Sequence, residues 1–168
     1  MRYPIAAILL IVSQPSEAAA SSGGADCSIS AYLTGRDPNG LNVRAGPSTR
    51  SAVLHVVSAE IAGVAAIREH RRGWFRIAGI VDAESDSPVF QDEGWVHGSL
   101  LGLDVANADP RLYTAPRSDS RVVATLRAAD TEVTLIGCAG PWAQVRAGGR
   151  TGWLSAEGQC SSPLTTCP

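Results

Sequence analysis

Short apolar segments follow one another in the same order in both halves of the chain, and this repeat limits the possible folds more than any other feature. Four landmarks recur: Val53, Val64, Trp74 and Trp95 in the first half, and Val122, Val133, Trp142 and Trp153 in the second. Corresponding landmarks are separated by 69, 69, 68 and 58 residues. A constant spacing over three landmarks indicates two copies of one small structural unit.

The segments within each copy have the length and composition of β-strands. They are rich in β-branched residues and bounded by Gly, Pro, Asp or Asn, a pattern typical of β-sandwiches and small barrels. No long segment after residue 26 has the 3.6-residue period of an amphipathic helix. We therefore predict an all-β fold of two five-stranded barrels in tandem, at 30–103 and 108–160, with a one-turn 3₁₀ helix after each Gly-Trp pair.

The first copy carries an insertion within 80–91, because the fourth spacing is 10 residues shorter than the third. The corresponding turn of the second copy contains only Gly148-Gly149, a strong signal for a tight hairpin. We therefore predict that the insertion enlarges a hairpin loop. Its carboxylates could hold a cation or simply be solvated, and the absence of a calcium-loop spacing favours the solvated loop. The acidic residues are Asp82, Glu84, Asp86, Asp92 and Glu93.

The first 20 residues have the composition of a cleaved signal peptide. Arg2 gives a positive start, residues 5–12 are apolar, and Ala18-Ala19-Ala20 offers small residues for cleavage. The apolar run is too short for a membrane span, which needs about 20 residues. We therefore expect an exported protein, periplasmic or secreted, with no membrane span in the mature chain.

Four cysteines follow the predicted signal peptide. In an oxidising compartment an even number indicates disulfides, here two. A metal site is disfavoured because no C-x-x-C pair exists and the histidines lie far from the cysteines in sequence. Three pairings are possible. We favour Cys138–Cys160 together with Cys27–Cys167, which would tie the termini together and make 161–168 a disulfide-linked tail.

Three segments resemble the bacterial SH3 domain family. Residues 41–48, Leu-Asn-Val-Arg-Ala-Gly-Pro-Ser, resemble its opening signature. Gly73-Trp74-x-x-Ile77 and Gly94-Trp95-Val96 resemble its closing half. The resemblance covers 38–103 and implies that each predicted barrel is SH3-like.

The second copy departs from the family at its opening. It keeps Trp142-x-x-Val145 and Gly152-Trp153-Leu154, but residues 112–116 read Leu-Tyr-Thr-Ala-Pro and lack the Asn, Arg and Gly of the signature. A binding role for that opening is therefore less expected in the second module.

Composition and motifs disfavour catalysis and nucleic-acid binding. The formal charge of −2 gives no strong field for nucleic acid. The chain has no Gly-x-Ser-x-Gly elbow, no His-Glu-x-x-His pair and no Gly-rich phosphate loop. Bacterial SH3 modules often accompany cell-wall peptidases or amidases, but the enzyme domain is then separate, and here two modules occupy the chain. We expect no enzyme, cofactor or metal.

A basic and aromatic cluster in the first module is the predicted binding site. In the wider SH3 fold, the Trp that corresponds to Trp74 lines a peptide groove, although core packing of this ring is an equal alternative. Arginines beside it suit a carboxylate-bearing ligand, such as the acidic stem peptides of the cell wall, whereas a solvated basic turn is the plainer alternative. The predicted ligand-binding residues are Asn42, Arg44, Arg68, Arg71, Arg72 and Trp74.

The sequence therefore predicts a non-catalytic exported module that binds cell-wall peptide or an envelope protein. We expect the first module to bind and the second mainly to support it, because only Gly140-Pro141 precedes Trp142. A structural or inhibitory protein that docks onto another secreted protein is the alternative. A cell-wall hydrolase is a remote third.

Overall fold

A computed structural model describes residues 24–106, 109–127, 133–165 and 167. The predicted signal peptide lies outside the described residues. The described part consists of strands, turns and two one-turn 3₁₀ helices, at Gly98–Leu100 and Ala156–Gly158, which follow the two Gly-Trp pairs as predicted. The all-β class is confirmed.

The strands, in chain order, are β1 Ala25–Leu33, β2 Leu41–Arg44, β3 Val53–Val57, β4 Gly63–Arg71, β5 Trp74–Asp82, β6 Pro88–Phe90, β7 Gly94–His97, β8 Leu101–Gly102, β9 Asp104–Val105, β10 Arg111–Tyr113, β11 Val122–Thr125, β12 Val133–Ala139, β13 Trp142–Ala147, β14 Arg150–Leu154 and β15 Gln159–Cys160.

The strands form one sheet for each repeat and a small connecting sheet. The first sheet has eight strands, ordered β3-β2-β7-β5-β4-β1-β8 with β6 paired to β5, and the second has five, ordered β11-β10-β14-β13-β12. Strands β9 and β15 pair with each other. The prediction of five strands holds for the second sheet and is wrong for the first, which gains β1, β6 and β8. Strand pairing in both sheets follows an open path, so closed barrels are also not seen.

Alternation of apolar and polar side chains along a strand explains which residues form the core. In β2, Leu41 and Val43 are buried while Asn42 and Arg44 are only partly so, as a period of two requires. One continuous apolar cluster includes residues from both modules, from Cys27 to Leu154. Sharing a core stabilises both, because a unit of about 60 residues buries too little surface alone.

Glycine before Trp allows close packing at equivalent points of the two modules. A β-carbon on Gly94 would overlap Cγ1 of Val43, and one on Gly152 would lie 2.6 Å from Cγ of Leu112. A glycine inside a strand often marks such a close approach. Since Val43 and Leu112 occupy corresponding core positions, the same requirement acts in each repeat.

The insertion extends a hairpin outward from the first sheet. Strand β5 runs to Asp82 and β6 returns from Pro88. The Asp82 carboxylate accepts the backbone N–H groups of Glu84 and Ser85 at 2.8 and 3.0 Å. These hydrogen bonds lower the pKa of Asp82, so this carboxylate shapes the turn.

The predicted disulfide pairing is wrong: the bonds are Cys27–Cys138 and Cys160–Cys167. The N-terminal part of β1 reaches the second module, where the Ser28 N–H donates to the Gly140 carbonyl at 2.7 Å. That contact places Cys27 beside Cys138. Cys160 is bonded to Cys167, which follows it by 7 residues in the chain. Neither predicted bond, Cys138–Cys160 or Cys27–Cys167, is therefore formed.

Candidate functional site

Strand register places four residues in a row across each module. In the first, Glu69 pairs with Arg76, Arg76 with Trp95, and Trp95 with Arg44. In the second, the corresponding row is Gly137, Gln144, Trp153 and Tyr113. The two modules therefore present the same row of strand positions. The row contains charged residues in the first module and only uncharged residues in the second. We call the first surface the charged face; it comprises Arg44, Glu69, Arg71, Trp74, Arg76, Trp95 and His97.

The charged face lies on the side of the sheet opposite the core. Phe75, Ile77 and Val96 belong to the apolar cluster. Because successive side chains of a strand point to opposite faces, Trp74 and Trp95 must point away from it.

Trp74 is packed more than the predicted groove would require. Its side chain is only 9% exposed, and its ring meets the His97 ring edge-on at 5.1 Å between centroids. His97 is its register partner on β7. The indole is therefore largely covered and is not an open platform.

Two arginines of the charged face are already used within the fold. Arg76 forms salt bridges to Glu69 at 3.0 Å and Glu93 at 2.8 Å. Arg44 donates from Nη1 to the Ser51 carbonyl at 2.9 Å, across the turn that joins β2 to β3. The opening signature thus uses its Arg to hold a turn. Arg76 was not among the predicted site residues, although its alternation with Phe75 and Ile77 was the available signal.

Three arginines of the β4–β5 hairpin carry no ion pair in the described part of the chain. Within the described residues, Arg68, Arg71 and Arg72 make no salt bridge. Arg72 and Gly73 have φ values of 49° and 82°, as in a type I′ turn, where both central residues are left-handed. This turn pairs Arg71 with Trp74 across the hairpin. Arg71 and Trp74, which the sequence predicted to be neighbours, are therefore adjacent in the structure.

The six predicted site residues do not form one cluster. Asn42 and Arg44 lie on β2, with β7 and β5 between them and β4. At about 4.8 Å per strand, they are roughly 14 Å from the arginines of β4. Arg68 is exposed and lines a cleft between the modules. Only Arg71, Arg72 and Trp74 stand together, and we call these three the basic hairpin.

His70, to which sequence analysis gave no role, supports the basic hairpin. Its Nε2 accepts the Gly73 N–H at 3.2 Å, and its ring lies 4.8 Å from the Phe75 ring. Burial lowers the pKa of His70. The neutral imidazole therefore holds the turn that presents the arginines.

The corresponding surface of the second module is aromatic and neutral at its centre. Tyr113 and Trp142 meet at 5.5 Å with perpendicular rings, and Trp153 is half-buried beside them. Arg150, the first residue of β14, donates to the Val123 carbonyl at 2.8 Å. This module lacks a counterpart of the basic hairpin among its described residues.

Groups for metal or thiol chemistry are not assembled in the part of the chain that the structure describes. No three His, Cys, Asp or Glu side chains converge there, and all four cysteines are in disulfides. The described ranges also hold no helix long and apolar enough to cross a membrane.

Comparison with known proteins identifies both repeats. The family model described as bacterial SH3 domain matches residues 39–102 and again 107–158, so the matches together cover more than half of the chain. No curated protein matches the chain. The matched ranges contain the charged face and its neutral counterpart at equivalent positions. The chain therefore belongs to the bacterial SH3 domain family and carries two copies of the domain in tandem.

Proposed function

We propose that this chain is a non-catalytic binding protein that acts outside the cytoplasm and recognises a carboxylate-bearing peptide of the cell wall. Bacterial SH3 domains are typically binding modules and are often associated with the cell wall. Membership of the family supports binding as the general role. The ligand class comes from the side chains of this chain.

The basic hairpin carries the proposal. A guanidinium presents N–H donors in a planar fork that matches a carboxylate. Arg71 stands directly across the hairpin from Trp74, and Arg72 is exposed at its tip. Neither arginine is neutralised by a described carboxylate, unlike Arg76. A ligand carboxylate would therefore meet two available cations next to Trp74.

Extracytoplasmic location is supported by two disulfides that use every cysteine. Such bonds persist in oxidising compartments and are rare in the cytosol. The apolar segment within 1–20 has the pattern of an export signal. Cell-wall peptides are accessible to a protein in that compartment.

A second candidate function is docking onto another envelope protein, and one observation favours it. Strand β3 ends the first sheet, and its Val53, Leu54 and Val56 are 44%, 53% and 51% exposed. An apolar edge strand can pair with a strand of another chain. Structural or inhibitory docking would use this edge rather than the basic hairpin.

Sedimentation with purified sacculi separates the two functions. Sacculi are prepared with their bound proteins and, in parallel, stripped of them. Saturable sedimentation with stripped sacculi is the result expected for wall-peptide binding. Sedimentation only with unstripped sacculi would assign the function to a protein partner, and sedimentation with neither would contradict the proposal.

A further inference from the structure

Two clefts on the outer side of the first sheet share their central residues. One, of about 310 Å³, lies between the modules, and the other, of about 340 Å³, lies beside the inserted hairpin. Ser30 and Ala66 line both. The two clefts therefore adjoin at these two residues, and we call them together the β4 groove.

Strand β4 sets the direction and length of the groove. Val64 lines one end, Ala66 the middle and Arg68 the other end. These are alternate residues of one strand, and the residues between them, Ala65 and Ile67, are fully buried. At about 3.3 Å per residue, the ends are roughly 13 Å apart, the span of about four residues of extended peptide.

The centre of the groove is low because its side chains are small, and its ends are raised. Ser30 is the register partner of Ala66, and Ala78 and Gly79 on β5 continue the floor. Residues of the inserted strand and of the second module contribute to the two ends. The apolar end is lined by Val81, Pro88 and Phe90, and the polar end by Ser28, Pro141, Ala156, Gln159 and Ser161.

Of the described residues that line the two clefts, only Arg68 is charged. It makes no salt bridge within the described ranges. Around it are hydroxyl groups and Gln159, whose Nε2 already donates to the carbonyls of Pro141 and Leu154 at 2.8 and 3.1 Å. A single anionic group is the chemistry that this end would accept.

The apolar end suits an uncharged side chain. Val81 is 44% exposed, and its neighbours Pro88 and Phe90 come from the inserted strand β6. Insertion of an apolar side chain there would remove both surfaces from water. The groove thus combines one cation, one apolar end and a floor that leaves room for a peptide backbone.

We propose that the β4 groove binds the free carboxyl end of an extended peptide, with the terminal carboxylate at Arg68 and an apolar side chain about three residues earlier beside Val81. This inference rests on the proposed function, because it specifies the peptide end that a carboxylate-binding module selects. It adds a site distinct from the basic hairpin. It also gives the insertion and the second module a shared role, since each forms one end of the groove.

The test uses an N-acetylated tetrapeptide, leucine followed by three alanines, as its free acid and as its C-terminal amide. Calorimetric titration of the full disulfide-bonded protein is expected to show binding of the free acid at least about tenfold tighter than the amide. Arg68→Gln should remove this preference. Ala66→Phe should abolish binding by filling the floor, whereas Thr151→Phe, at an exposed position of the second module, should not.

Melting curves of each variant show whether it folds. Should Ala66→Phe fail to fold, Val81→Asp tests the apolar end instead and should weaken the free acid at least about tenfold. Undetectable binding of the free acid, or equal binding by wild type and Arg68→Gln, would overturn the groove proposal.

Sacculus binding distinguishes this proposal from the broader function. Sedimentation that is lost with Arg71→Gln/Arg72→Asn, together with tetrapeptide binding that Arg68→Gln leaves unchanged, would overturn the groove and leave the proposed function standing. Tetrapeptide binding with an Arg68-dependent preference, but no sedimentation, would support the groove and contradict wall binding.

Discussion

The imidazole of His70 lies against the backbone of Gly137, where a β-carbon would stand 3.3 Å from Nδ1. His70 belongs to β4 of the first module and Gly137 to β12 of the second. The side chain that holds the basic hairpin is therefore also part of the contact between the modules. Its protonation should affect both.

Stability should fall in mild acid because of His70. Burial lowers the pKa of this imidazole below its ordinary 6.5, so folding favours the neutral form. The resulting contribution is fully present above the unfolded pKa and is lost as the pH falls through the lower folded value. Urea unfolding at about pH 7.5 and about pH 5 should show a smaller difference in His70→Gln than in wild type. An identical pH dependence in the two proteins would refute this role for His70.

The two disulfides should differ in what their removal costs. Cys27–Cys138 spans 111 residues and Cys160–Cys167 only 7. Since chain-entropy stabilisation grows with loop length, replacing the first pair by alanine should cost about 4–5 kcal/mol and the second about 2 kcal/mol. Chemical unfolding of the double variants measures both. Detection of two reactive thiols per folded wild-type molecule under non-reducing conditions would contradict one of the two bonds, and detection of four would contradict both.

Tyr32 should titrate at unusually high pH. Burial, aided by the nearby Asp104 carboxylate, raises its pKa to about 12, and the hydroxyl donates to Asp104 at 3.1 Å. Because the folded pKa is raised, the stabilisation is present below the ordinary value and is lost as the pH rises through about 12. Ultraviolet titration should show one tyrosine ionising late, and Asp104→Asn should bring it earlier. A titration unchanged by Asp104→Asn would argue against the contact.

Local patterns were sufficient for the fold class and the repeat. Alternation at Leu41-Asn42-Val43-Arg44 fixes which side chains face the core, and the same order of segments recurs in both halves. The extra strand β1 was missed because its pairing with β4 and its contact with Gly140 are long-range. The disulfide pairing failed for the same reason, since it depends on where β1 lies relative to β12.

The candidate site was predictable only where residues are close in sequence. Arg71, Arg72 and Trp74 share one hairpin, so their neighbourhood follows from a two-residue turn. Arg44 belonged to the expected signature but is directed to the Ser51 carbonyl. The position of Arg68 beside Pro141 could not be inferred, because it requires the arrangement of the two modules.

The most direct test of carboxylate recognition is binding of stripped sacculi by matched double variants at low and high salt. Arg71→Gln/Arg72→Asn removes both charges while keeping an Asn-Gly turn, which suits the left-handed φ of 49° at Arg72. The control, Arg121→Gln/Arg146→Gln, removes two exposed charges of the second module.

We predict at least about tenfold weaker binding by the hairpin variant at low salt, with a smaller deficit at high salt because exposed charges are screened. The control should bind as wild type does. Equal losses from both pairs, or a loss only from the control, would contradict the assignment of carboxylate binding to the first module.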